Sequence, residues 1–169
     1  MLSIFLLLAA FVPMLAEARR ASRNATVLER LGARDPEGDP YALMQFAYPA
    51  CFLAVAAEAW VRGASMDSPF FLAGLVVFAA AKGVKYWAIA TLGNRWTFRV
   101  LVPPGSSRIL AGPYRFMRHP NYVGVIGELI GMALMGQAPV AGAGSIVGFG
   151  ALIRARIRVE ERALRLDAE

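Results

Sequence analysis

Residues 41–92 read YALMQFAYPACFLAVAAEAWV, RGASMDS, PFFLAGLVVFAAAKGVKYWAIATL: two long apolar runs on either side of a seven-residue joint. Tyr41–Val61 and Pro69–Leu92 each exceed the roughly twenty helical residues that a hydrocarbon core requires. The expected fold class is an all-α integral membrane protein.

Working outward, Leu2–Ala16 is a third apolar run, and it is followed by Glu17, Arg19, Arg20 and Arg23. A signal peptide carries its positive charge before the apolar run. Here it follows, so an uncleaved first span with its N-terminus outside is expected, despite the cleavable-looking Ala16-Glu17-Ala18. Arg19–Pro40 is expected to be a polar cytosolic loop, its arginines set against Glu17, Glu29, Asp35, Glu37 and Asp39. Asn24-Ala25-Thr26 matches a glycosylation acceptor, which a cytosolic loop leaves unused. On the other side, Gly93–Asn121 is polar, and Tyr122–Gly136 and Pro139–Ile153 form two shorter apolar helices around Gln137-Ala138-Pro139. These predict a tight hairpin. In its second arm, Gly144 and Gly148 have the spacing that lets helix backbones approach closely. Arg154–Glu169 is charged again and is expected to form an amphipathic interfacial helix. The reading is about five spans in one membrane domain, 1–169. Residues 1–92 supply three spans, and 93–169 a cofactor-binding half.

The composition agrees: 57% of the 169 residues are hydrophobic, 18% are charged, and mean hydropathy is +0.49. A net charge of +6 would suggest nucleic acid in a soluble protein. The arginines instead cluster between apolar runs, where they set topology and meet anionic lipid headgroups, so no nucleic-acid partner is expected. The three arginine-rich segments all fall on one side, the cytosolic one, of a five-span chain. Cys51 is the only cysteine and lies in an apolar run. This rules out an internal disulfide framework, and no Cys–His zinc spacing or other metal site is predicted.

Two motifs carry the chemistry. The first is Gly112-Pro113-Tyr114-Arg115-Phe116-Met117-Arg118-His119-Pro120-Asn121-Tyr122-Val123-Gly124, and the second is Arg156-Ile157-Arg158-Val159-Glu160-Glu161-Arg162-Ala163-Leu164. Together they resemble the GPYRxxRHPxYxG and RIxxEExxL signatures of the isoprenylcysteine carboxyl methyltransferase family, whose general plan phospholipid methyltransferases share. The similarity covers roughly Thr91–Leu166. It implies S-adenosyl-L-methionine as methyl donor and a cofactor pocket built from both motifs. The terminal hairpin would bring the two together at the cytosolic face, open to water and to a lipophilic substrate from the bilayer.

The residue types suit that donor. Its carboxylate matches a guanidinium fork or imidazole, Arg118 or His119. Its ribose hydroxyls match Glu160 or Glu161, and its sulfonium and adenine match the aromatic faces of Tyr114 or Tyr122. Gly112, Pro113 and Pro120 shape the backbone around it. His119, Glu128 and Arg158 are the candidate catalytic residues; His119 and Glu128 are the possible bases should the acceptor be a phenol. Glu128 lies roughly 10 Å beyond Tyr122 along its helix. Buried charge in a membrane needs a partner, so a pair with Lys82 or Lys85 is expected, while Glu58 has no depth-matched lysine. The favoured acceptor is a hydrophobic small molecule such as an alkyl phenol or pyrone, ahead of a prenylcysteine carboxylate or a phospholipid amine. An NADPH-dependent membrane reductase and a small non-enzymatic membrane protein or transporter are the alternatives.

Overall fold

The computed structural model describes residues 1–106 and 108–166. These contain five α-helices: α1 (Leu2–Arg30), α2 (Tyr41–Val61), α3 (Pro69–Leu92), α4 (Pro120–Met135) and α5 (Pro139–Leu166). Two 3-10 turns, Gly93–Arg95 and Gly112–Arg115, lie between α3 and α4. The described residues form no strand; a single antiparallel bridge joins Arg34 and Val102. Helices α1, α2, α3 and α5 are long and apolar enough to cross a membrane, and α4, at 16 residues, is a shorter apolar helix.

Local chemistry sets the helix ends. The Ser68 hydroxyl accepts from the Phe70 amide at 3.3 Å, with Pro69 in the first turn of α3. At the end of α2 the Ala64 amide reaches back to the Ala59 carbonyl (2.9 Å) across Gly63, whose φ of 64° a side chain would oppose. Helix α4 ends the same way, with Ala138 donating to Ala133 at 3.0 Å, but the left-handed residue there is Gln137, φ 49°. Its side chain donates to the Ser65 carbonyl at 2.8 Å, tying this turn to the α2–α3 connection.

Two expected breaks are absent. The segment expected as a loop from Arg19 is helical as far as Arg30. It contains no Pro or Gly, and Glu17, Ala21, Asn24 and Leu28 recur on one buried face. Counting charges for topology does not register that periodicity. Likewise α5 runs through Ile153–Arg154 without interruption, so the expected second arm and tail helix are one element. The composition changes there, yet nothing in the backbone stops the helix. Asp167–Glu169, the end of the expected tail, lie outside the described residues.

Helix α3 packs along α4 at backbone contact. A Cβ added at Gly74 would stand 2.4 Å from the Met135 amide nitrogen, and one at Gly131 would stand 2.6 Å from that of Phe78. Gly124 and Gly127 meet Lys85 and Ala81 equally closely. The close approach expected at Gly144 and Gly148 is not there: both face open space, and in α5 it is Gly142 that abuts Ala133. Small-residue spacing marks where backbones can meet, and the neighbouring helix decides which spacing is used. The main core joins Leu6, Phe52, Val55, Leu129, Met132 and Met135 from α1, α2 and α4. Glu58, which has no depth-matched lysine, lies 3.8 Å from Arg62 and accepts from the Val140 and Ala141 amides (3.3 and 2.6 Å), a carboxylate on the positive end of α5.

Candidate functional site

The connection between α3 and α4 is fastened to α1. Asn24, buried on α1, donates to the Gly93 and Trp96 carbonyls at 3.1 and 2.7 Å. Trp96 packs against Ala21 and Ile89 and donates from its indole to Asn121 at 3.3 Å. Arg99 pairs with Glu29 (2.5 Å) and with Asp35, whose hydrogen bond chiefly raises the guanidinium's affinity for its proton. The glycosylation-like asparagine is therefore a buried bracket.

Above this floor lies an open pocket of about 330 Å³, within the range of small-molecule sites. One wall is Tyr114, Arg118, His119, Asn121 and Tyr122, and the facing wall is Arg156, Glu160, Glu161 and Leu164. Both motifs thus face one pocket. The wall from α5 follows from helical spacing, since residues 156, 160 and 164 share a face.

A hydrogen-bonded chain crosses the pocket. Tyr122 donates to Glu160 Oε2 at 2.9 Å and accepts from Arg156 Nε at 3.0 Å. Arg156, 5% exposed, also donates to Asp39 Oδ1 at 3.3 Å and to the Phe98 carbonyl. His119 stacks on Tyr122 with ring centroids 5.7 Å apart. Its Nδ1 stands 3.7 Å from Glu160 and its Nε2 3.4 Å from Glu161, which Arg118 also approaches at 3.6 Å. Burial, and secondarily the Glu160 charge, raises the Tyr114 phenol well above its ordinary value.

The other expected site residues lie elsewhere. Gly112, φ +54°, folds onto Thr91, where a Cβ would come within 2.3 Å of Oγ1. Pro113 and Pro120 are fully buried beneath the first wall. Arg158 is exposed and outside the pocket lining, because two residues of helix turn it to the opposite face from Arg156. Arg156, Asn121, Trp96 and Asp39 were not singled out from sequence. For Arg156 the signal was available in its four-residue step to Glu160; for Asp39 no local signal exists.

Glu128 is likewise outside the pocket. It is 1% exposed and pairs with both candidate lysines, Lys82 at 3.1 Å and Lys85 at 3.2 Å. Glu17 meets the same two lysines at 3.1 and 2.6 Å, and Tyr48 donates to Glu128 Oε2 at 2.7 Å. The cluster unites all four helices α1–α4. In sequence Glu17 is the first charge beyond an apolar run; it shares the buried face of α1 with Ala21 and Asn24, which turns it inward to meet α3.

Residues 72–166 match the model of the isoprenylcysteine carboxyl methyltransferase (ICMT) family. The chain is 32% identical over 150 residues to YpbQ, an uncharacterized protein of Bacillus subtilis, covering 89% of each. It is 28% identical over 123 residues to an uncharacterized protein of Haemophilus influenzae, covering 72% of this chain and 71% of the relative. No solved structure matches it. With its apolar helices and a family match over more than half its length, this chain is a member of the isoprenylcysteine carboxyl methyltransferase family of membrane methyltransferases.

Proposed function

We propose that the protein is an S-adenosyl-L-methionine-dependent O-methyltransferase acting on a lipophilic acceptor. The observation that carries this is the meeting of both motifs across one pocket. Its lining offers what the donor's parts require: guanidinium for a carboxylate, carboxylates for vicinal hydroxyls, and the aromatic faces of Trp96, Tyr114 and Tyr122 for adenine and sulfonium. When bound, S-adenosylmethionine supplies an electrophilic methyl group. Arg118 on the rim would hold the carboxylate, and Glu160, oriented by Tyr122, would accept from the ribose. His119, its Nε2 3.4 Å from Glu161 on the pocket wall, is the residue we propose as a general base. A carboxylate acceptor needs no such base; a phenol, with pKa near 10, does. We favour a hydrophobic phenol- or pyrone-like acceptor, with prenylcysteine second. The setting we propose is a bacterial inner membrane, with the N-terminus outside and the pocket on the cytosolic side.

Five arginines in the lining (Arg95, Arg99, Arg108, Arg118 and Arg156) lend some support to a phosphate-bearing ligand such as NADPH. Arg99 and Arg156 are already engaged by Asp35, Glu29 and Asp39, which weakens that reading. Thermal unfolding in detergent with S-adenosylhomocysteine and with NADPH separates the two. Stabilisation by the former alone is expected, and stabilisation by NADPH alone would overturn the proposal.

A further inference from the structure

Helix α1 carries three arginines, Arg19, Arg20 and Arg23, exposed within little more than one turn and bordering a shallow concavity completed by Ala16 and Asn24. Of the acids nearest in sequence, all but the exposed Glu37 are committed elsewhere. Glu17 is held by Lys82 and Lys85, Glu29 and Asp35 by Arg99, and Asp39 by Arg156. No carboxylate among the described residues pairs with Arg19, Arg20 or Arg23. Below them on the same helix face, Leu8, Val12 and Leu15 are each about 60% exposed. Positions 8, 12, 15, 19 and 23 advance by three or four residues, so this apolar stripe runs directly into the arginines. Its upper end lies where the apolar part of α1 gives way to charge.

From this geometry we infer that the α1 face is a binding site for an anionic phospholipid. Its acyl chain lies along Leu8, Val12 and Leu15, and its phosphodiester is gripped by the guanidiniums of Arg19, Arg20 and Arg23. A guanidinium presents two parallel donors to a phosphate, and three without a protein counter-charge leave the pairing to the lipid. The site does not depend on the methyl-transfer reading.

The test uses the full chain purified in detergent, titrated with phosphatidylglycerol and with phosphatidylcholine of the same acyl chains. Tight binding of phosphatidylglycerol over phosphatidylcholine is expected. Arg19→Gln, Arg20→Gln and Arg23→Gln should each weaken it about fivefold, and the triple variant roughly a hundredfold. The single variants keep two arginines in place, so they report binding even if the triple variant folds poorly. Arg30→Gln/Arg34→Gln, which removes charge from the same segment, should leave binding unchanged. Three results would overturn the inference: no preference between the two lipids, equal losses in the Arg30/Arg34 control, or competition by millimolar inorganic phosphate, which would indicate a free-anion site.

Discussion

Around Glu128, two glutamates, two lysines and a phenol close on one another inside the helix bundle, while around Glu160 and Glu161 a similar mixture stands against an open pocket. In the first, each lysine contacts both glutamates, and none of the four side chains is more than 11% exposed. In the second, Arg118 keeps 68% of its side chain exposed and reaches Glu161 only at 3.6 Å. Charge removed from water must be matched by charge in fixed geometry, so the inner cluster is a joint between helices. Charge left at a water-filled rim can exchange one partner for another, as binding requires. The same residue types thus serve different ends according to burial.

Substitutions graded from the inner cluster to the rim test this contrast. Lys85→Met leaves Glu17 and Glu128 sharing Lys82 and should cost about 3–5 kcal/mol, read from chemical unfolding in detergent. Adding Glu17→Gln should cost less than the two changes summed, since the second removes a charge the first stranded. An additive result would mean that the four charges do not act together. Arg156→Ala removes the charge partner of Asp39 and the donor to the Tyr122 hydroxyl, and about 2–3 kcal/mol of stability should go together with the response to S-adenosylhomocysteine. Tyr122→Phe removes the hydroxyl between Arg156 and Glu160; about 1 kcal/mol and a severalfold loss of ligand affinity are expected by calorimetry. Arg118→Ala should change stability by less than about 0.5 kcal/mol while weakening S-adenosylhomocysteine roughly tenfold. If it instead destabilised as Lys85→Met does, the rim would be a structural joint too.

Much of this arrangement was legible along the chain. The bounds of α2 and α3 followed from apolar length, and both motifs were legible through their resemblance to a known family. Glu128 called for a lysine partner because a lone charge inside a membrane is costly. What escaped were relations between distant segments. Glu17 became a partner only once α1 proved continuous through Arg30, Asp39 only once Arg156 turned inward, and Glu58 only once α5 began beneath it. Arg158 and Arg156 look alike within a nine-residue motif, and only the rotation of α5 against Tyr122 separates them.

By itself, then, the sequence determined the all-helical membrane class, the bounds of α2 and α3 and the family, because each rests on local composition or on a contiguous motif. Tertiary structure alone decided which small residues bring helices together, which arginine enters the pocket and how four buried charges neutralise one another. Those outcomes depend on where a second, distant segment lies, and burial energies are set by that neighbour rather than by the residue's own place in the chain.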